Sequence, residues 1–216
     1  SDNRTAQINT LLNTGAVSGG KNGGVAGINF GSIDDSAFGG KVKGKSAYFS
    51  SCTGGIAGGN HGLIGSCLSN GSVEAQSLSI ITDSHAGGIA GENAFGASIF
   101  ACANYSAVNN SCYSSSDSIC SAGGIAGYNH ESNISACVNY GKVSAQSAYC
   151  GGIAGIILAD EGSLKIEDCY NAADISSAGG AAGGISGMIG ASDNRTAQIN
   201  TLLNTGAVSG GKNGGV

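Results

Sequence analysis

The sequence predicts an all-β chain folded as a parallel β-solenoid, with about six coils of roughly 32 residues. Two recurring motifs and the overall composition predict it. The first motif is Gly-Gly-Ile-Ala-Gly: GGVAG at 23–27, GGIAG at 54–58, 87–91, 123–127 and 151–155, and GGISG at 183–187. Successive copies start 31, 33, 36, 28 and 32 residues apart, and a truncated copy (Gly214, Gly215, Val216) follows after 31 more. The second motif, Ile-x-x-Cys-x-Asn-x-Gly-x-Val, starts at Ile8, Ile33, Ile64, Ile99, Ile134, Ile166 and Ile199. A fixed period of this length marks an array in which each unit buries its apolar side against its neighbours. The composition fits, with 40 Gly and no Pro among 216 residues of which 41% are hydrophobic. That is too apolar for a solvated tail, and a disordered linker of this glycine content would carry proline.

Within one unit, the β-branched runs bounded by Gly, Asn and Ser read as strands. Nine residues after each Ile stands Val17, Val42, Val73, Val108, Val143, Ile175 or Val208. Offsets 3, 5, 7 and 9 share one face of an extended chain, because side chains alternate with period 2. That face carries Cys or Leu, Asn, Gly and Val, and suits an interior. A helix is opposed by the glycines and by the lack of a 3.6-residue period. Each unit is therefore expected to form one coil of two or three strands. The coils stack about 4.8 Å apart, and parallel crossovers favour the right hand. The glycine pairs Gly23–Gly24, Gly54–Gly55, Gly87–Gly88, Gly123–Gly124, Gly151–Gly152 and Gly183–Gly184 are expected at tight corners, allowing positive φ and close backbone approach.

Stacking converts repeated positions into columns. Asn13, Asn104, Asn139, Asn171 and Asn204 form one, interrupted by Phe38 and Ser69; Asn29, Asn60, Asn93 and Asn129 form another, ending in Ile157 and Ile189. Stacked amides satisfy one another and the turn backbone. Cys67, Cys102, Cys137 and Cys169 share a column with Leu11, Ser36 and Leu202, which marks a core slot for buried thiols. Cys52, Cys120 and Cys150 precede glycine pairs, and Cys112 lies in the longest insertion, around 109–122. A Cys120–Cys150 bridge between neighbouring coils is the first expectation and Cys112–Cys120 its rival. Either implies an oxidising, extracellular setting.

A search for chemistry yields no catalytic, metal or cofactor residues. No Cys-x-x-Cys spacing, zinc signature, Ser/His/Asp set or phosphate loop is present. His61 and His130 each follow a column Asn two coils apart, and His85 stands before its own motif. The acidic pairs Asp34–Asp35 and Glu167–Asp168 hold equal offsets four units apart, too distant for paired-carboxylate chemistry, and Asp160–Glu161 reads as a turn. Asn3, Asn104, Asn109 and Asn133 match the glycosylation pattern, which matters only in a glycosylating host. A net charge of −5 with nine scattered Lys and Arg argues against nucleic acid and anionic membranes. No apolar run approaches the roughly 20 residues of a membrane span. Among the aromatic residues, Tyr105 and Tyr140 sit one coil apart at offset 6 and are expected to face outward.

Residues 192–216 repeat residues 1–25 identically, a second period of 191. The chain therefore divides into a tandem module, 1–191, and the start of the next identical module, 192–216, and is expected to be cut from a longer array.

The combination GG[IV]AGxN with IxxCxNxGxV resembles the GLUG repeat of large bacterial surface proteins, including adhesins and the non-catalytic regions of IgA-specific metallopeptidases. The resemblance runs over essentially the whole chain. It implies a non-enzymatic, extracellular structural or interaction protein, a segment of a surface fibre or adhesin stalk stacked end to end. Its partners would be neighbouring copies of the module and a host or cell-surface glycan or protein. The alternative is a carbohydrate-binding or polysaccharide-cleaving solenoid that uses the insertion-bearing face.

Overall fold

The computed structural model describes residues 6–46, 50–79, 81–112, 118–160, 163–192 and 195–214. Asn3, Tyr48, Tyr113, Glu161, Gly215 and Val216 lie outside the described residues. No helix occurs among the described residues, and strand pairs with strand in parallel from one coil to the next. Seven windings stack as a β-solenoid. Coil 2 is representative, with strands Ser32–Asp34, Ala37–Phe38, Lys41–Ser46, Ser51–Gly54 and Ala57–Asn60.

Five short strands per coil replace the two or three expected, because corners interrupt two of the three walls. The first and second strands of each coil belong to one 12-stranded sheet, the third and fourth to another, and the fifth to a six-stranded sheet. In coil 6 the interruptions vanish, giving Leu164–Asn171 and Ile175–Gly183 as continuous strands.

Register is kept residue for residue. Val17 pairs with Val42, then Val73, Val108, Val143, Ile175 and Val208 follow in one column. Ile8, Ile33, Ile64, Ile99, Ile134, Ile166 and Ile199 form a second column. The motif isoleucines Ile56, Ile89, Ile125, Ile153 and Ile185 point into the same interior from a bend between strands. Full burial of each contributes about 2–3 kcal/mol of transfer free energy, and a one-residue slip would expose a whole column. Two core clusters result, one of Ile and Cys and one of Val, Ala and Cys.

The glycine pairs do stand at a corner, but they lie outside the left-handed region. What they supply is space. A Cβ on Gly124 would overlap the Gly152 carbonyl and the Asn139 amide; on Gly88 it would meet Gly124 O and Asn104, and on Gly152 it would meet Gly184 O and Asn171. The left-handed corner falls two residues after each column isoleucine, at Thr10, Asp35, Ser66, Ala101, Ala136, Asp168 and Thr201, with φ of 46° to 55°. None of these is glycine.

Candidate functional site

The two sequence motifs meet inside the coil. The Asn of the second strand projects across the interior onto the second glycine of the preceding coil's pair, so that the missing Cβ makes room for the amide. Asn104 Nδ2 donates to Asn139 Oδ1 (2.8 Å), Asn139 to Asn171 (2.7 Å) and Asn171 to Asn204 (2.7 Å). Each Oδ1 also accepts a backbone N–H two residues on, as from Ser106, Gly141 and Ala173. Asn13 stands apart, because Phe38 fills the next place in its column, and donates to Gly24 O. The second column runs Asn29–Asn60–Asn93–Asn129 through amide bonds of 2.7, 2.8 and 2.7 Å. It ends where Asn129 turns to Ser132 O beside Ile157. Both columns are fully satisfied scaffolding.

The thiols of Cys67, Cys102, Cys137 and Cys169 are free and buried, each donating to the carbonyl two residues earlier at 3.0 to 3.2 Å. Contact with the neighbouring sulfurs of Cys102 and Cys169, and burial, hold the Cys137 thiol well above its ordinary value. The disulfide joins Cys112 to Cys120, and the expected Cys120–Cys150 bridge is absent. Register explains the correction: Cys150 lies opposite Ala122, two residues beyond Cys120, so the two thiols face different neighbours. Cys150 is buried, and burial pushes its thiol up to about 12.

Tyr105 and Tyr140 face outward as expected, 50% and 47% exposed, and stack at 4.9 Å with planes 18° apart. Tyr170, from a different offset, closes the row edge-on against Tyr140 at 6.3 Å. Tyr105 and Tyr140 thus each turn one ring face to the other.

A longer aromatic column escaped the sequence reading. Phe30 stacks on His61 and His61 on Phe95, each at 5.0 Å, and His130 meets Phe95 edge-on at 6.5 Å. The signal was present, since Phe30, His61 and His130 each directly follow a column Asn. Coil 3 obscures it: Ala94 takes the place opposite His130, pushing Phe95 one residue on with φ of 62°.

Beside this column a groove of about 250 Å³ is lined by Lys21, Cys52, Asp83, His85, Glu92 and Tyr128, among others. Cys52 and His85 are register partners on adjacent coils. Glu92 accepts from Lys21 (3.5 Å) and from the Cys52 thiol (3.6 Å), while His85 Nδ1 pairs with Ser121 Oγ at 2.8 Å and its ring stacks on Tyr128. Burial pushes Cys52 up to about 12, lowers His85 and raises Tyr128. A protonated thiol, a neutral imidazole and a carboxylate already paired with lysine make a stable polar lining. Among the described residues no three His, Cys, Asp or Glu are placed to hold a metal ion. Asp34–Asp35 and Glu167–Asp168 occupy coils 2 and 6, as their offsets required.

No family model matches the chain, and no curated protein matches it. Among solved structures, the crystal structure of a "putative immunoglobulin A1 protease" from Bacteroides ovatus is similar, with a TM-score of 0.51 and 20% identity over 83% of this chain and 49% of that one. The chain spans about half of that structure's length, and likeness at this identity is one of fold alone.

Proposed function

We propose that this chain is a structural segment of a long, repetitive extracellular protein of the GLUG kind, a stalk or fibre that carries other parts outward. It acts as a scaffold and not as an enzyme. The observation that carries the reading is continuity: the columns of the first two sheets run through all seven coils, and residues 192–216 repeat residues 1–25 identically. Modules stacked on this pattern make one rod growing by about 29 Å per six coils. The Cys112–Cys120 bridge supports an oxidising, extracellular location. The likeness to the putative immunoglobulin A1 protease of Bacteroides ovatus is one of fold, and it is in keeping with a repeat of the GLUG kind. Electron microscopy of chains carrying one, two and three modules tests the rod, and antibody labelling of intact against lysed cells tests its location. Particles that do not lengthen, or epitopes reached only after lysis, would overturn the reading.

The glycan-binding alternative draws on the exposure of Tyr105 and Tyr140. Sugar stacking uses ring faces, however, and each of these rings turns one to the other. Glycan-array binding lost in Tyr105→Ala/Tyr140→Ala would favour it over the scaffold.

A further inference from the structure

Among the described residues six cysteines are thiols, and register sorts them into two kinds. Cys52 lies opposite Lys21 and His85, and Cys150 opposite Ala122 and Ala182, so neither has a cysteine as its register partner. Cys67, Cys102, Cys137 and Cys169 stand directly over one another. The residues that follow them, Leu68, Ala103, Val138 and Tyr170, pair in that order, and Cys169 itself pairs with Leu202. Neighbouring strands lie about 4.8 Å apart, inside the roughly 4.4–6.8 Å between Cα atoms that a disulfide spans. The sulfurs already reach toward the adjoining coil, since the Cys67 N–H donates to Cys102 Sγ at 3.4 Å.

The slot itself does not require sulfur. In the same column Ser36 Oγ accepts the Leu11 N–H at 3.2 Å and donates to Asp34 O at 2.9 Å. Cys102 makes the equivalent pair of bonds, to the Cys67 N–H and to Phe100 O. Leu202 packs on the core there with hydrocarbon alone. What four consecutive thiols add over serine or leucine is the capacity to join one coil to the next.

We infer that oxidation links this column as two cross-coil disulfides, Cys67–Cys102 and Cys137–Cys169. Coil 3 is thereby bound to coil 4, and coil 5 to coil 6. This pairing uses all four sulfurs, whereas a Cys102–Cys137 bridge would leave Cys67 beside Ser36 and Cys169 beside Leu202. Each pair also combines a lowered thiol with a raised one. Donation from Cys137 lowers Cys102 and Cys169, while donating to Cys102 raises Cys67 and Cys137. The oxidant is a low-molecular-weight disulfide such as oxidised glutathione. The Cys102 or Cys169 thiolate attacks one of its sulfurs and expels the other as a thiolate; the partner cysteine then attacks the mixed disulfide and expels the second. Two electrons and two protons pass from the pair to the oxidant, which leaves as two thiols. With the column 0–2% exposed, the exchange belongs to folding, before the coils close. The inference goes beyond the scaffold reading and stands independently of it.

The test refolds the reduced chain in a glutathione redox buffer, alkylates it under denaturing conditions and maps its peptides by mass spectrometry without reduction. Peptides linked through Cys67–Cys102 and Cys137–Cys169 are expected beside Cys112–Cys120, with Cys52 and Cys150 alkylated. Chain recovered from periplasmic export, which needs no refolding, should give the same map. Cys102→Ser, a change the slot accommodates as it does Ser36, should lose the first link and keep the second. Reduction should lower the melting temperature of the parent by roughly 10 °C or more beyond its effect on Cys102→Ser/Cys169→Ser, which retains only Cys112–Cys120. Circular dichroism verifies the fold in both redox states. All four column cysteines alkylated, a Cys102–Cys137 link, or an equal melting shift in the double variant would overturn the inference, whatever the rod and cell-labelling tests return.

Discussion

Two corners of each coil turn the chain by different means. At the glycine corner, typified by Gly123–Gly124, the dihedrals suit any residue but the space does not, because backbone of the next coil and a column Asn occupy the place of a Cβ. At the other corner, typified by Ala136, space is free but the backbone is left-handed, and the positions are filled by Thr, Asp, Ser and Ala. The left-handed conformation costs an L-residue about 1–2 kcal/mol, less than two overlapping backbones would. Glycine is thus spent where nothing else fits, and the milder strain is tolerated seven times over. The glycine pairs therefore mark close approach, not turning.

The largest effect should come from Gly124→Ala. Its methyl would meet the Gly152 carbonyl and the hydrogen-bonded Asn139 amide, so a loss of about 3 kcal/mol or more is expected, read as a melting temperature lower by roughly 6–12 °C. A near-neutral result would erase the distinction between the corners. Gly20→Ala is its control, because open space surrounds that position, and it should stay within about 0.5 kcal/mol of the parent.

Next is Asn139→Ala, which removes the amide that Gly124 accommodates. It strands the Asn104 donor and the Gly141 N–H, for a loss of about 2 kcal/mol. Combined with Gly124→Ala the losses should fall short of their sum, because the second change relieves part of the first clash. Strict additivity in denaturant titrations would mean that the two motifs are not coupled.

Acid should then act on the glycine side first. His85 precedes Gly87 by two residues and is buried neutral, its pKa lowered by burial. The unfolded chain binds that proton more readily, so stability is fully present above about pH 6.5 and declines as pH falls below it. Hydrogen exchange at 84–87 should accelerate on acidification in the parent and stay flat in His85→Gln; a parent profile without the decline would count against a buried neutral ring.

The smallest effect, and opposite in sign, belongs to Ala136→Gly. Relief of the left-handed strain, less the greater entropy of an unfolded glycine, should stabilise by up to about 1 kcal/mol. Destabilisation there would show that the second corner is limited by packing after all.

Much of the fold was legible because stacking repeats each environment, so that Val17 to Val208 announced one column and Ile8 to Ile199 another. The Asn and Cys columns were readable for the same reason. The aromatic column was not, since one extra residue at Ala94 moved Phe95 out of the count while its ring still reached His61. Cys120 and Cys150 misled in the opposite way: they stand three and one residues before glycines that pair with each other, and that difference of two residues puts Cys150 opposite Ala122.

The sequence by itself determined that like residues pile up along a rod, because a period with β-branched positions in phase admits no other burial. Only the tertiary structure decided which corner is left-handed, which side chain fills the hollow over each glycine, and which cysteines bond. These depend on groups from neighbouring coils meeting within a few ångströms. A linear period carries no record of the path the chain takes between its repeats.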